Sequence, residues 1–169
     1  CLKSIISIKY SNLEIIVVDN QSYDNSVDSI RKDFPFVDVI VASKNLGFAG
    51  GCNLGAKRST GKYILFLNND TEMEKDFLEP LVKILKQDSS SSVQPKIRNY
   101  KKSHKFDYAG ACGGFMDFLV FPFARGRIFD TIEQDRGQYD QKKQIFWASG
   151  TCFLTKKEIF DSVGGFDET

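Results

Sequence analysis

Three short apolar runs, at residues 14–19, 37–41 and 63–67, recur along the first half of the chain, and stretches with helical spacing separate them. The first run, Glu14, Ile15, Ile16, Val17, Val18 and Asp19, is rich in β-branched residues, ends in polar ones, and reads as a strand buried on both faces. Helical spacing appears at residues 2–10, through Leu2, Ile5, Ile6 and Ile8. It returns at residues 24–34, where Asp24 is the expected N-cap and Val27, Ile30 and Phe34 share a face. Two more helices are expected at residues 51–59 and 76–87, the latter with Phe77, Leu81, Ile84 and Leu85 inward. Strand alternating with helix is the pattern of an α/β fold built on a mostly parallel sheet covered by helices. Parallel strands share a direction, so their polar ends, Asp19-Asn20 and Asn68-Asn69-Asp70, are expected near each other on the ligand edge of the sheet.

The second half has a different texture. Residues 89–92 form a small polar turn, and residues 103–140, with Gly113, Gly114, Gly126 and Gly137, read as loops with short strands. Residues 145–154 read as a strand interrupted at Gly150, and residues 157–162 as a short helix ended by Gly164 and Gly165. The chain has 169 residues, 41% of them apolar, with 15 Phe, which suits one domain with one core.

A net charge of +1 leaves no strongly basic face, so nucleic acid is not an expected partner. Lys96, Arg98, Lys101, Lys102 and Lys105 form a local basic cluster. It reads as a solvated loop, with contact to anionic lipid or a phosphorylated acceptor as the alternative. Cys1, Cys52, Cys112 and Cys152 are too scattered for a zinc knuckle or a CxxC pair, and read as buried thiols in a reducing compartment. No signal peptide is visible, and the longest apolar stretch, residues 115–123, is interrupted by Asp117 and Pro122. A cytoplasmic location is the expectation.

Four segments hold residue types that carry chemistry. Asn68, Asn69, Asp70 and Thr71 follow an apolar strand, where a carboxylate can hold a hard divalent cation through oxygen ligands. The same residues are common in turns. Asp19, Asn20 and Ser22 end another strand, where carboxylate and amide either hydrogen-bond a nucleobase or ribose, or merely close a turn. The segment from Asn45 to Asn53, with Gly47, Gly50 and Gly51, is a Gly-rich turn entering a helix, suited to close approach by phosphate. It is neither a Walker loop nor a GxGxxG site. Trp147, the sole Trp, with Gly150, Asp167 and Glu168 makes up the last group. Its ring either packs in the core or offers a platform to an acceptor sugar.

The order of these segments is more specific than any one of them. Ile15-Ile16-Val17-Val18-Asp19-Asn20-x-Ser22-x-Asp24-x-Ser26 comes first, then Asn45-x-Gly47-Phe48-Ala49-Gly50-Gly51-x-Asn53-x-Gly55. Ile64-Leu65-Phe66-Leu67-Asn68-Asn69-Asp70-Thr71 follows, then Trp147-x-Ser149-Gly150-x-Cys152-Phe153-Leu154, then Val163-Gly164-Gly165-Phe166-Asp167-Glu168. The series resembles family 2 glycosyltransferases, and within them the rhamnosyltransferase-like branch of bacterial surface polysaccharide synthesis. The resemblance covers nearly the whole chain and is thinnest over residues 103–143. It implies a glycosyltransferase-A fold, with a nucleotide-sugar-binding half at residues 1–97 and a smaller, irregular acceptor-side half at residues 98–169. It also implies a UDP- or dTDP-linked sugar donor, Mn²⁺ or Mg²⁺, a saccharide or lipid-linked acceptor, and work at the inner face of the plasma membrane with peripheral contact to it.

Carried over residue by residue, the resemblance gives Asp19 the nucleobase or ribose, with Asn20 and Ser22 beside it, and gives Asn45, Gly50, Asn53 and Asn69 the donor. Asp70 matches the last acid of the family's D-x-D metal motif, and Asn68 stands where the first acid belongs, as a weaker ligand. Trp147, Gly150, Asp167 and Glu168 fall on the acceptor side. The implied reaction is an inverting single displacement. The relatives carry a strand ahead of the helix at residues 2–10, and their base sits in a Glu-Asp pair shortly after the Gly-Gly-Phe-Asp-Glu segment. The chain is therefore expected to be truncated at both ends, with the base beyond Thr169. A nucleotidylyltransferase and a non-catalytic nucleotide-binding domain are the competing expectations.

Overall fold

The computed structural model describes residues 1–169. In chain order its elements are α1 (Leu2–Ile5), β1 (Ile16–Asp19), α2 (Ser26–Asp33), β2 (Asp38–Val41), α3 (Gly47–Arg58), β3 (Tyr63–Leu67) and α4 (Leu78–Gln87). Then come β4 (Ser92–Val93), β5 (Gly114–Met116), β6 (Pro122–Ala124), β7 (Arg127–Ile128), β8 (Thr131–Ile132), β9 (Cys152–Lys156) and α5 (Lys157–Ser162). They group into two compact units, one of Ser11–Ile64 with Lys156–Thr169, the other of Cys1–Tyr10 with Leu65–Thr155.

In the first unit β1 and β2 pair in parallel, Ile16 opposite Asp38 and Asp19 opposite Val41. Val and Ile suit this pleated surface, and α3 packs on β1 while α2 packs on β2. The helix lies close to the strand because Gly55 has no side chain: a Cβ there would stand 3.1 Å from Val18 Cγ2. Arg58 at the end of α3 reaches Asp38 at 2.8 Å. Three corrections to the sequence reading arise here. Only Asp19 of β1 is buried, the rest being half-buried, because this sheet has two strands and each keeps a free edge. The N-cap of α2 is Asn25, although Asp24 Oδ1 does accept the Ser26 amide at 2.9 Å. Helix α3 starts at Gly47, four residues before the expected start, because packing overrides the weak helix propensity of glycine.

In the second unit the sheet runs β3-β9-β4, with Ser92 opposite Thr155 and Val93 opposite Leu154 in an antiparallel pair. Helix α4 buries Leu78, Leu81, Val82 and Leu85 and packs against β4. Phe77 and Ile84, expected inward, are half-buried, and Leu78 and Val82 take the inward places. Pro80 falls in the first turn, where its missing N–H costs nothing. Residues 1–10 are helical for one turn only, at α1, and lie along the segment after β3: Lys9 donates its amide to Lys75 O at 2.9 Å, and its ammonium meets Asp76 at 2.8 Å.

The Gly-rich region folds as two hairpins, β5–β6 and β7–β8, beside a small core of Phe106, Ala111 and Cys112 with Ile132 and Tyr139. Gly126, at φ +93°, lets the chain pass Phe106, whose Cδ2 would lie 2.8 Å from an added Cβ. Of the five cations in the expected basic loop, Lys96 is held by Asp135 and Asp140 at 2.8 and 2.6 Å, and Arg98 by Glu74. All four cysteines are free, but only Cys112 and Cys152 are buried; Cys1 and Cys52 are half-buried. Burial pushes the Cys112 thiol up to about 11 and the Cys152 thiol up to about 12, so both stay protonated at neutral pH. No helix is long and apolar enough to cross a membrane.

Candidate functional site

The first unit carries the turn after β1. Asp19 is 8% exposed. Its Oδ2 accepts the Ser22 amide at 3.1 Å, and Oδ1, which makes no hydrogen bond, keeps access to solvent. Between them Gln21 sits at φ +67°, a left-handed conformation that side chains rarely adopt and that recurs at ligand sites. The next residue, Asn20, ties this turn to the Gly-rich segment. Its Nδ2 donates to Asn45 Oδ1 at 3.0 Å and to Gly47 O at 2.9 Å, and its Oδ1 accepts the Leu46 amide at 2.8 Å. Asn45 Oδ1 also accepts the Gly47 amide at 2.9 Å. Asn20, Asn45 and the start of α3 are thereby one hydrogen-bonded piece, with Ser22 exposed beside it.

Asn53, six residues into α3, is 7% exposed and points elsewhere. Its Nδ2 donates to Phe166 O at 2.9 Å and to Glu168 Oε1 at 2.7 Å, while its Oδ1 accepts the Phe166 amide at 2.9 Å. The amide group is fully committed to a clamp on the Gly-Gly-Phe-Asp-Glu segment. Gly165, at φ +84°, permits the approach: a Cβ there would stand 2.6 Å from Asn53 Oδ1. Glu168 Oε2 lies 3.5 Å from where a Cβ on Gly50 would be, so this carboxylate covers the second turn of α3. Asp167 Oδ1 is engaged by the amide and hydroxyl of Thr169 at 3.0 and 2.7 Å, which hold its carboxyl below the usual range. Asn53→Ala would strip partners from Phe166 and Glu168, and a stability loss of about 1–3 kcal/mol is expected. Thermal unfolding checks this; an unchanged midpoint would refute the clamp.

The second unit carries the turn after β3. Asn68 is half-buried, and Asn69 and Asp70 are exposed. Thr71 Oγ1 closes the turn on Asn68 O at 2.7 Å, and the Asn68 amide donates to Thr151 O at 2.9 Å. Asn68 is thus tied to Thr151, just after the Trp147–Gly150 segment. The Asp70 carboxylate makes no hydrogen bond or ion pair. No cluster of three or more His, Cys, Asp or Glu side chains forms here. What the turn offers a cation is one free carboxylate flanked by amide oxygens, a donor set that fits a hard ion taking its remaining ligands from a bound diphosphate.

Trp147 is half-buried, neither in the core nor free. Its indole lies across Gly114, where a Cβ would fall 1.9 Å from Cε2, and Nε1 donates to Phe115 O at 3.2 Å. Ser149, named above only within its motif, and Gln94 fix the following turn. Ser149 Oγ donates to Ala109 O at 2.9 Å, and its amide reaches Gln94 Oε1 at 2.6 Å. The Ser between Trp147 and Gly150 in the quoted motif is the signal that the sequence offers; Gln94 has none. Gly114→Ala is expected to unseat the indole and cost about 1–3 kcal/mol. Since Trp147 is the only Trp, its emission reports the change directly. Identical emission and melting would show that the ring has no such seat.

The sequence matches a known family. Glycosyl transferase family 2 aligns with residues 1–164 of the chain. Glycosyltransferase GlyG of Streptococcus pneumoniae serotype 4 is 28% identical over 166 residues, covering 96% of this chain and 53% of that protein. Poly-beta-1,6-N-acetyl-D-glucosamine synthase of Staphylococcus aureus is 30% identical over 124 residues, covering 66% of this chain and 29% of the synthase. The chain thus spans about half the length, or less, of these relatives. Among solved structures, the mannosyltransferase PcManGT of Pyrobaculum calidifontis, in complex with GDP-Man and Mn²⁺, superposes with a TM-score of 0.65 at 19% identity, covering 99% of this chain and 42% of that one. That likeness establishes the glycosyltransferase-A fold. With the family aligned along almost the whole sequence, this chain belongs to glycosyl transferase family 2.

Proposed function

We propose that the chain forms the nucleotide-sugar-binding part of an inverting, metal-dependent glycosyltransferase of surface polysaccharide synthesis. The donor is a UDP- or dTDP-linked sugar, and the acceptor a saccharide or lipid-linked saccharide, in the manner of the rhamnosyltransferase-like branch. The observation that carries this reading is Asp70, an exposed carboxylate without a partner at the end of a strand whose alternate residues are buried. Family membership supports transfer of a sugar rather than of a nucleotidyl group.

Asp70 would hold the divalent cation, with Asn68 as a weaker oxygen ligand. Bound there, the cation supplies positive charge against the leaving diphosphate. Asp19 receives the nucleoside through Oδ1, the oxygen that its own turn leaves free. Asn20 and Asn45 hold the Gly-rich segment in place for the donor, and in the other unit the Asn69 amide lies beside Asp70. In the transfer itself an acceptor hydroxyl oxygen bonds to the anomeric carbon as the carbon–oxygen bond to the diphosphate breaks. The hydroxyl proton passes to a base. Asp167 and Glu168 are engaged with Thr169 and Asn53, which supports assigning the base to neither. Trp147 and Gly150 remain the acceptor-side candidates. The experiment is titration calorimetry of the chain with uridine and thymidine diphosphates, with and without Mn²⁺. Metal-dependent binding is expected, and its absence for every nucleoside diphosphate would overturn the reading.

A further inference from the structure

The apolar stretch at residues 115–123 ends up in water. It folds as hairpin β5–β6, and its tip stands out from the unit: Phe118 is 92% exposed, and Leu119, Val120 and Phe121 are exposed beside it. Strand β7 packs on β6, and the β7–β8 hairpin ends in a second apolar tip, with Ile128 exposed and Phe129 90% exposed. Soluble surfaces rarely gather so many large apolar side chains without a partner.

The backbone of the first tip is prepared for leaving water. Asp117 turns its carboxylate inward, and Oδ1 accepts the Leu119 and Phe121 amides at 2.9 Å each. The Val120 amide donates to Asp117 O, and the Asp117 amide to Phe121 O, both at 3.0 Å. Desolvation of such groups opposes entry into lipid, and these four amides are satisfied within the tip. Val120 and Phe129 also sit at φ +68° and +49°. Glycine would occupy those tip positions without strain, yet each holds a large apolar side chain.

Cations stand at the base of the tips. Phe115, Phe123 and Ile128 line an open hollow of about 450 Å³ with Arg125, Lys142 and Lys143. Lys142 is paired with Asp88, but Arg125 and Lys143 have no carboxylate partner and lie over aromatic rings, Arg125 4.6 Å from the Tyr139 centroid and Lys143 5.3 Å from that of Phe115. Glu133, the acid in this lining, is held by the Tyr139 hydroxyl at 3.0 Å. Apolar tips above unpaired cations complement the acyl boundary and anionic headgroups of a bilayer. Protruding tips need no matching groove, as a rigid protein partner would have to provide.

We propose that the two hairpin tips, residues 117–121 and 128–129, dock the protein on an anionic lipid surface, with Arg125 and Lys143 at the headgroup level. This docking is independent of the nucleotide reading, since it requires neither donor nor metal. The test is co-sedimentation with phosphatidylcholine vesicles with and without phosphatidylglycerol. Binding is expected with phosphatidylglycerol, weakened at least about tenfold by the double substitution F118S/F121S and about fivefold by Lys143→Gln. In a Phe118→Trp variant, the added indole emission should shift blue and be quenched by bromine placed on the acyl chains. No binding to phosphatidylglycerol vesicles, equal binding by F118S/F121S, or an unquenched Phe118→Trp signal would each overturn the proposal. Self-association without vesicles that F118S/F121S abolishes would overturn it too, in favour of a second copy of the chain.

Discussion

Asp70→Ala is expected to remove metal-dependent binding of a nucleoside diphosphate and to leave the fold as it was. The two halves of that expectation have separate grounds. The carboxylate is exposed and bonds to nothing, so no packing or hydrogen bond is lost with it. It is also the one acid among residues 68–71, with Asn68 and Asn69 as neutral neighbours. Loss of at least about a hundredfold in the Mn²⁺-dependent part of the affinity is expected, or about 2.8 kcal/mol. Asp70→Asn keeps the size and turn chemistry of the residue and removes only the charge, so it should fall nearly as far. Calorimetry with and without Mn²⁺, alongside thermal unfolding, reads both quantities. If Asp70→Asn binds as tightly as the parent in Mn²⁺, the turn is only a turn.

The strongest local signals were legible in the sequence. Strand β3 and helix α5 have the bounds that their apolar and Gly punctuation indicates, and the β1–β2 pair is parallel as strand–helix alternation requires. Misreadings came where a distant partner decides the outcome. Helix α3 begins among glycines because its backbone lies against β1 and Asn20, which no count of helix formers reveals. Asn53, expected at the donor within a Gly-rich motif, has a second role in the clamp on Phe166 and Glu168. Its partner Glu168 lies 115 residues away, so the clamp is invisible to spacing. Trp147 left two readings open because its seat is made by Gly114, a residue without a side chain to announce a contact. The interrupted apolar run at residues 115–123 was visible as composition, but only the hairpin shows that its middle points outward and that Asp117 caps it.

Asp19→Ala is expected to weaken nucleoside binding about ten- to a hundredfold even without metal, the value of a hydrogen bond from a charged group, roughly 1.5–3 kcal/mol. The geometry separates two roles of one carboxylate. Oδ2 holds the Ser22 amide and so keeps the strained Gln21 turn in shape, while Oδ1 has no partner inside the protein. Removing the side chain loses both roles at once, and Asp19→Asn resolves them. An Asn oxygen still accepts from Ser22 and preserves the turn, but the group facing the ligand is no longer an anion. If Oδ1 receives a nucleoside, Asp19→Asn keeps the melting temperature of the parent and loses affinity for uridine and thymidine in the absence of Mn²⁺. If Asp19 only closes the turn, Asp19→Asn matches the parent in both measurements, and Asp19→Ala loses stability without any loss of affinity that refolding or lower temperature does not restore. Measuring both variants by calorimetry and thermal unfolding therefore decides between a ligand-facing carboxylate and a structural one.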